Sequence, residues 1–334
     1  MNAIFMSDNK KRFETVYCER ITKQLHTLIP DLDGVIYSKE MVLSSPDRFK
    51  ETEYIFATWG LEPFSEEEIA LCFPNLKCLF YAAGSVQFFA RPFLSRGVRI
   101  FSAWAANAVP VAEFTVAEII LANKGFHPTS RVLSAKKFDD ADKLFRKFPG
   151  NYDAKIGIIG AGMIGKLVIN MLKSYKLETV VFDPFLSDED ARKLNVKKVS
   201  LAEIFSECNV ISNHLADNAN TKNMLNYELF SKMRPFSTFI NTGRGAQVVE
   251  DDLVRLLTER PDVTALLDVT YPEPLPNSSR LYDLENCVLT PHIAGSSGNE
   301  FWRLSEYMTE EFIHCINNEP CRYEVTPVML ETMA

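Results

Sequence analysis

Residues 155–175 read KIGIIGAGMIGKLVINMLKSY, an apolar run that meets three spaced glycines and continues as an apolar helical pattern. A strand that leads into Gly160, Gly162 and Gly165 is typical of the first turn of a dinucleotide-binding βαβ unit. The first glycine permits a tight turn, the second lets a diphosphate approach the backbone, and the third lets the helix pack against the strand. An unliganded strand-to-helix turn is the plainer alternative.

The segment around this motif predicts a dinucleotide and favours NAD. Met163 and Ile164 begin the helix, so their amides would face the diphosphate. Asp183 ends the next apolar run, ETVVFD, at about the twenty-residue offset at which an acid binds the adenosine ribose. No arginine or lysine follows in FDPFLSDED. A 2′-phosphate would therefore meet carboxylates, and the pattern predicts NAD rather than NADP.

Short apolar runs alternate with helical patterns along the whole chain, which is typical of parallel α/β proteins. AIFM, GVIY, EYIFAT, LKCLFYAA and VRIF form a first set, and a second set begins at the glycine motif. We predict an α/β fold with two doubly wound parallel sheets, divided into residues 1–105, 106–294 and 295–334. The amphipathic segment GNEFWRLSEYMTEEFIHCINNE is expected to pack as a helix on the first domain, which would make that domain discontinuous.

Composition and charge exclude several classes of partner. The 334 residues are 46% hydrophobic and 24% charged, with a net charge of -8, which does not suit nucleic acid or anionic lipid. No apolar run approaches the roughly 18 residues of a membrane span. The seven cysteines form no CxxC pair, and we interpret them as reduced, buried thiols. We expect a cytoplasmic protein with no metal, nucleic acid or membrane partner.

Three polar residues follow apolar runs of the second set. Arg244 lies in FINTGRGAQVV, Glu273 in TYPEPLP and His292 in LTPHIAG. Ligands of doubly wound sheets bind outside the carboxyl ends of the strands, so these side chains are expected to converge beside a nicotinamide. An ion pair for Arg244 and a solvated loop position for Glu273 are the plainer alternatives. His214, in SNHLAD, has no acid beside it and is interpreted as a structural or cofactor-packing residue.

The order of these motifs resembles the D-isomer-specific 2-hydroxyacid dehydrogenases, which include D-lactate, glycerate and D-3-phosphoglycerate dehydrogenases. The matching segments are VAEFTVAEIILAN, GIIGAGMIGK, NANTKNMLNYELFSKMRPFSTFINTGRGAQVVEDDLVRLL, LLDVTYPEPLP and LTPHIAG. The resemblance implies a Rossmann-type NAD domain inserted into a smaller flavodoxin-like substrate domain. It also implies hydride transfer between a D-2-hydroxy acid and its 2-oxo acid, and a homodimer that meets through the helical segment from Val109 to about Lys147.

The same resemblance implies a role for each matching position. His292 would be the general acid on the keto oxygen during reduction and the base in the reverse direction. Glu273 would bind the other imidazole nitrogen, and Arg244 would bind the substrate carboxylate. Gly84 and Ser85 match the loop that takes this carboxylate. The remaining cofactor positions are Asp268, at the nicotinamide carboxamide, and His214, Thr221 and Thr242.

The sequence departs from the family pattern near the predicted substrate site. The carboxylate loop continues as GSVQFFARPF, and Ala216 stands where the family usually has proline. Phe88, Phe89 and Trp104 would suit a bulky 2-oxo acid or belong to the core, and both interpretations stay open. Formate dehydrogenase, which pairs its histidine with a glutamine, is disfavoured by Glu273. An NAD(H)-sensing regulatory protein of the same fold is the alternative function.

Overall fold

The computed structural model describes residues 1–331. The chain forms two compact units: unit 1 contains Met1–Asn107 and the chain from Ser296 onward, and unit 2 contains Ala108–Gly295. Each unit is built on a largely parallel sheet with connecting helices. This architecture confirms the prediction of two doubly wound α/β domains.

The strands alternate with helices in both units. The strands are β1 (Ala3–Met6), β2 (Ile36–Tyr37), β3 (Tyr54–Ala57), β4 (Cys78–Tyr81), β5 (Arg99–Ser102), β6 (Lys155–Ile159), β7 (Glu178–Phe182), β8 (Lys197–Lys198), β9 (Val210–Asn213), β10 (Thr238–Asn241), β11 (Thr264–Leu267), β12 (Cys287–Leu289) and β13 (Glu324–Val325). The helices are α1 (Lys10–Val16), α2 (Glu19–Leu28), α3 (Lys39–Ser44), α4 (Glu66–Cys72), α5 (Ala90–Ser95), α6 (Trp104–Asn123), α7 (Phe126–Ser134), α8 (Phe138–Phe145), α9 (Met163–Leu172), α10 (Asp188–Leu194), α11 (Leu201–Glu207), α12 (Tyr227–Phe230), α13 (Glu250–Glu259) and α14 (Glu300–Ile316).

Local sequence fixes where several helices begin. Ser65 and Glu68 form a reciprocal capping box at the start of α4, and Ser200 and Glu203 form another at the start of α11. In each box the serine hydroxyl accepts the amide of the glutamate, and the glutamate carboxylate accepts the amide of the serine. These bonds satisfy amides that have no partner within the helix.

The sheet of unit 1 has six strands in the order β13-β5-β4-β3-β1-β2. The first five strands of the chain are parallel, in the 2-1-3-4-5 order of flavodoxin-like folds. Strand β13 pairs antiparallel with β5 and was not foreseen, because Glu324–Val325 is too short to show an apolar pattern. The doubly wound prediction for this unit is otherwise confirmed.

The sheet of unit 2 has seven strands in the order β12-β11-β10-β9-β6-β7-β8. All neighbouring pairs are parallel, and the strand order reverses between β6 and β9. Ile159 is level with Asn213, which is level with Asn241. The carboxyl ends of these strands therefore lie side by side at the switch point, where doubly wound sheets bind ligands.

Helix α14 belongs to the core of unit 1, beside strands that lie far away in sequence. Leu304, Met308 and Phe312 are fully buried on one face of this helix. The ring of Phe312 lies 5.2 Å from that of Phe56 and 5.6 Å from that of Phe80. The returning chain thus covers one face of the sheet, and the apolar face of α14 packs in the core.

Helix α6 corrects the expectation that no segment is long and apolar enough for a membrane span. Trp104–Asn123 meets that test by length and composition, but 56% of its apolar window is buried inside the protein. Ala112 and Ile119 are fully buried within the core of unit 2, and Pro110 lies inside the helix. A central core helix has the composition of a membrane span, so we interpret α6 as a core helix. The cytoplasmic location stays a prediction.

The cysteines are all free thiols, but they are less uniformly buried than expected. Cys72, Cys78 and Cys208 are buried, and the other four cysteines are partly exposed. Within residues 1–331 no group of histidine, cysteine and acidic side chains is arranged to hold a metal ion.

Candidate functional site

The glycine motif forms a tight turn between β6 and α9 whose shape depends on missing side chains. Gly160 has a φ of +93°, and a Cβ on it would lie 2.6 Å from the carbonyl oxygen of His214. A Cβ on Gly165 would lie 2.0 Å from the carbonyl oxygen of Gly160. A Cβ on Gly162, by contrast, would meet nothing within 4 Å. The first and third glycines therefore close the turn, and the second leaves its outer surface open.

The open surface at Gly162 lies at the beginning of α9. Gly162 is the N-cap residue of this ten-residue helix, and no side chain among residues 1–331 caps the helix there. The first amides of a helix have no intrahelical partner and attract anions. The predicted diphosphate position, at Met163 and Ile164, thus has free donors and the space that a ligand needs.

Asp183 follows β7 and joins the glycine turn to the next loop. Its Oδ2 accepts the amide of Ala161 at 2.6 Å, and its Oδ1 accepts the amides of Phe185 and Leu186 at 2.7 and 3.1 Å. These bonds fix the carboxylate beside the glycine turn. It retains acceptor capacity for ribose hydroxyls, because each carboxylate oxygen can accept more than one hydrogen bond.

His214 lies behind the glycine turn rather than on its open side. Its amide donates to the carbonyl of Ile159 at 2.7 Å, and its Nε2 lies 2.9 Å from the Ser212 hydroxyl. Nδ1 is buried without a hydrogen-bond partner among residues 1–331. Burial lowers the pKa of His214 to about 3. The imidazole is therefore neutral near pH 7 and supports the turn, as a packing residue would.

The neutral state of His214 predicts a loss of stability in mild acid. In the unfolded chain this histidine binds a proton below its ordinary pKa of about 6.5, whereas the folded protein binds it only near pH 3. The unfolded state is therefore favoured progressively as the pH falls below 6.5, by about 2 kcal/mol at pH 5. We expect the wild type to lose more unfolding free energy between pH 7 and pH 5 than His214→Gln does, by about 2 kcal/mol, as measured by urea denaturation. Equal differences in both proteins would contradict a buried neutral histidine.

The two threonines predicted to contact the cofactor, Thr221 and Thr242, lie in the loops after β9 and β10. Both hydroxyls form hydrogen bonds with other protein atoms. Thr221 donates to the carbonyl of Ala216 at 2.7 Å and so closes the loop after β9. The hydroxyl of Thr242, which is buried, lies 3.0 Å from that of Thr115 on α6. The predicted contacts of Thr221 and Thr242 with a cofactor stay predictions.

Arg244 follows β10 and has no acidic partner within 4 Å among the residues that the structure describes. Its Nη1 donates to the carbonyl of Gly243 at 2.9 Å, and most of its other donors have no protein acceptor within residues 1–331. Gly245 is required by close packing, because a Cβ there would lie 2.0 Å from the carbonyl carbon of Thr270. Gly245 therefore allows the Arg244 loop to pack directly against the backbone at Thr270.

A buried amide network that sequence reasoning missed holds the Arg244 loop. The Oε1 of Gln247 accepts Nδ2 of Asn213 at 2.6 Å and the amide of Arg244 at 3.3 Å. Its Nε2 donates to the carbonyls of Leu215 and Ala216 at 2.8 and 3.0 Å. Gln247 is fully buried, so these bonds fix two neighbouring loops to each other. The only signal in the sequence was a set of amides just after the apolar runs.

His292 and Glu273 form a direct pair after β12 and β11. The Nδ1 of His292 lies 2.7 Å from Oε1 of Glu273, and both side chains are about half exposed, at 48% and 44%. A carboxylate accepts only, so the proton of a neutral imidazole lies on Nδ1 and leaves Nε2 free. The sequence predicted this pairing, which excludes a solitary solvated position for Glu273.

Asp268 organises the loop that carries His292. The side chain is buried; its Oδ1 accepts the hydroxyl of Thr290 at 2.6 Å and the amide of Ile293 at 2.8 Å. Its Oδ2 accepts the amide of Ala294 at 2.9 Å, and its carbonyl accepts the amide of His292 at 3.0 Å. These bonds hold His292 at a φ of +56°, which residues other than glycine seldom adopt. The predicted contact of Asp268 with a carboxamide stays a prediction.

In unit 1, the loop after β4 presents free amides. Ser102, which is buried, donates to the carbonyls of Ala83 and Gly84 at 2.9 and 2.6 Å. The amides of Gly84 and Ser85 donate to no protein atom within residues 1–331. This loop therefore has the donors that a carboxylate needs, and Ser102 is a support that sequence reasoning missed.

The aromatic side chains near this loop divide into core and surface. Phe89 is fully buried, and Trp104 packs against the same core and against Tyr323, with ring centroids 5.7 Å apart. Phe88 is 53% exposed and lies 4.9 Å from the ring of Phe89. Of the three residues whose role the sequence left open, Phe89 thus belongs to the core, Trp104 is partly buried against that core, and Phe88 is largely exposed.

The fold and the glycine turn together define a Rossmann-type NAD-binding domain. Residues 116–294 match the model of the family described as D-isomer specific 2-hydroxyacid dehydrogenase, NAD binding domain. The chain belongs to the D-isomer specific 2-hydroxyacid dehydrogenase family, as the sequence motifs predicted, and its cofactor is NAD.

Individual relatives agree with this assignment. The chain is 27% identical over 275 residues to D-3-phosphoglycerate dehydrogenase of Synechocystis, a match that covers 80% of this chain and 49% of the relative. It is 26% identical over 250 residues to glyoxylate reductase of Korarchaeum cryptofilum, covering 74% and 75%. The chain spans about half the length of the Synechocystis enzyme.

A solved structure shows the same fold over nearly the full chain. D-mandelate dehydrogenase of Rhodotorula graminis superimposes with a TM-score of 0.79 at 17% identity, covering 97% of this chain and 98% of that one. At this identity the likeness concerns the fold alone.

Proposed function

We propose that the protein is an NAD-dependent oxidoreductase that interconverts a D-2-hydroxy acid and its 2-oxo acid. One observation carries the proposal: the histidine–carboxylate pair of His292 and Glu273 lies at the carboxyl ends of the same sheet as Arg244. Arg244 has no acidic partner among residues 1–331. A proton donor and an unpaired planar cation at the same end of one sheet suit a substrate with a carbonyl next to a carboxylate.

The glycine turn and Asp183 fit the cofactor in shape and donor set. The turn offers open space at Gly162 and the uncapped start of α9, and Asp183 offers acceptors. Bound NAD would supply the hydride chemistry, and the protein supplies orientation and charge. The amides of Met163 and Ile164 would hold the diphosphate.

His292 would move the proton of the reaction. Because Nδ1 is held by Glu273, the proton is given from Nε2 to the keto oxygen in reduction, and Nε2 takes it from the hydroxyl in oxidation. The imidazolium form that precedes reduction carries protons on both ring nitrogens, and Glu273 accepts the one on Nδ1. The hydrogen bonds of Asp268 keep the ring's backbone from shifting during this exchange.

Arg244 would bind the substrate carboxylate. Its guanidinium is planar and permanently charged, so two parallel hydrogen bonds to a carboxylate are within its geometry. The amides of Gly84 and Ser85 are a second proposed carboxylate-binding group, supported by the absence of protein acceptors for them among residues 1–331.

A turnover screen tests the function and separates it from the alternative. Purified protein is mixed with NADH and, in turn, small, branched, aromatic and phosphorylated 2-oxo acids, and NADH oxidation is followed. Turnover with at least one acid supports the dehydrogenase. Measurable NADH binding without turnover on any acid would favour the NAD(H)-sensing protein instead.

We also propose a homodimer that meets through α6, α7 and α8. Phe126, Leu133, Phe138 and Phe145 are exposed apolar side chains on α7 and α8, and Phe138 is 69% exposed. Exposed apolar side chains grouped on one surface mark an interaction site.

The dimer makes a prediction about mass in solution. We expect a native mass of twice the 37.9 kDa of one chain by light scattering. Phe138→Asp should give the single-chain mass, because it would bury a charge in the interface. Phe185→Asp is the matched control, since Phe185 is exposed but lies outside α7 and α8. A wild-type protein with the mass of one chain would contradict the dimer.

A further inference from the structure

A cluster of thiols around one guanidinium lies in unit 1, where the strands begin. Cys78 begins β4 and Arg99 begins β5, and the two residues are level across this parallel pair. Cys315 lies in the last turn of α14, and Cys321 lies in the segment before β13. We call these four residues the thiol cluster. The loop with Gly84 and Ser85 follows the carboxyl end of β4, whereas the thiol cluster lies at the beginning of that strand, so the two are separate.

Contacts within the thiol cluster are close and specific. The sulfur atoms of Cys78 and Cys315 are 3.4 Å apart. Arg99 donates from Nη1 to Sγ of Cys315 at 3.4 Å and from Nη2 to Sγ of Cys321 at 3.8 Å. The carboxylate of Glu324 accepts Nε and Nη2 of Arg99 at 2.9 and 2.6 Å, which holds the guanidinium in this place.

The two adjacent thiols differ in their surroundings. Cys315 is partly exposed and receives a hydrogen bond from a permanent cation, which is the setting in which protein thiols react with oxidants. Cys78 is only 2% exposed, so a peroxide reaches its sulfur less easily than it reaches the sulfur of Cys315. This asymmetry suits Cys315 as the attacking thiol and Cys78 as the resolving thiol.

We propose that Cys78 and Cys315 are a reversible oxidation site that a peroxide converts to a disulfide. First the sulfur of Cys315 attacks a peroxide oxygen, the O–O bond breaks, and Cys315 becomes a sulfenic acid while water leaves. Then the sulfur of Cys78 attacks the sulfenic sulfur, the S–S bond forms, the S–O bond breaks, and the hydroxyl leaves with the Cys78 proton as water. Both thiols are oxidised and one hydrogen peroxide is reduced to water. This site does not rest on the proposed dehydrogenase activity.

Little movement is needed for the bond to form. The sulfur atoms must approach from 3.4 Å to about 2.0 Å. Cys315 lies one residue before the end of α14, where helical hydrogen bonds open most easily. The disulfide would join the returning C-terminal segment to the sheet of unit 1.

Peptide mapping of the intact protein tests the proposal. Reduced protein is exposed to hydrogen peroxide, quenched with an alkylating reagent and digested with trypsin. We expect the peptide that begins at Cys78 to be linked to the peptide of residues 304–322, and dithiothreitol to release it. That second peptide contains both Cys315 and Cys321, so fragment ions must place the link at Cys315.

Matched variants sharpen the result. Cys321→Ser and Cys72→Ser should form the link as the wild type does, since Cys72 is a buried thiol outside the cluster. Cys78→Ser should lose it, and Cys315 should proceed to sulfinic acid. A link between Cys315 and Cys321 in the wild type, or Cys78 and Cys315 both free after peroxide treatment, would overturn the proposal. The wild-type map decides this even if Cys78→Ser does not fold.

Discussion

Replacing His292 by asparagine is expected to lower kcat about 10²- to 10⁴-fold, because the keto oxygen would lose its proposed proton donor. Asparagine is the best substitute here, since it tolerates the left-handed backbone that His292 adopts. The affinity for NADH should not change, because the glycine turn and Asp183 are untouched. Steady-state kinetics on the preferred 2-oxo acid, together with NADH titration by fluorescence, measures both quantities.

Glu273→Gln is the matched control for the acid–base pair. Glutamine retains the size of the side chain and an oxygen that can accept from Nδ1, but it replaces a charged hydrogen-bond acceptor by a neutral one. We expect a smaller loss of kcat than in His292→Asn. If His292→Asn kept wild-type turnover on every active 2-oxo acid, the acid–base role would be wrong.

Replacing Arg244 by alanine is expected to lower kcat/KM about 10²- to 10⁴-fold, through the loss of two charge-assisted hydrogen bonds worth about 1.5–3 kcal/mol each. The loss follows from the position of the guanidinium, which has no acidic partner among residues 1–331 and is thus available to a substrate anion. Arg244→Lys keeps the charge but not the planar guanidinium, so its kcat/KM should lie between those of the wild type and Arg244→Ala.

A substrate without its carboxylate separates this role from a structural one. We expect the wild type and Arg244→Ala to differ strongly on a 2-oxo acid and little on the corresponding 2-oxo amide, because only the acid can use the guanidinium. Equal losses on both substrates would mean that Arg244 supports the loop rather than binds the carboxylate.

The sequence predicted those parts of the fold and site that leave a local pattern. Gly160 and Gly165 are recognisable because steric contact at a turn demands glycine at fixed spacing. The strand pattern predicted that Glu273 and His292 lie at the same end of one sheet, the family resemblance implied that they pair, and the structure brings the two side chains within 2.7 Å. Features that depend on residue type at fixed positions, such as these, can be recognised in a single sequence.

Other features depend on contacts between residues that are distant along the chain. The role of Gln247 depends on Asn213 and on two carbonyls after β9, none of which marks it in sequence. Strand β13 is defined by its antiparallel pairing with β5, a contact that its two residues do not show in sequence. The amphipathic pattern of α14 predicted a packed helix, but the approach of Cys315 to Cys78 could be seen only in three dimensions.

The division of the chain has a consequence for how such a protein can diversify. The glycine turn and the proposed residues Arg244, Glu273 and His292 all lie in unit 2, which is one uninterrupted stretch of sequence, Ala108–Gly295. Genetic exchange of the segments on either side would therefore leave the proposed proton-transfer and nucleotide-binding apparatus intact. The proposed carboxylate-binding amides of Gly84 and Ser85 lie outside this stretch, so recombination at two junctions would replace them and retain Arg244, Glu273 and His292.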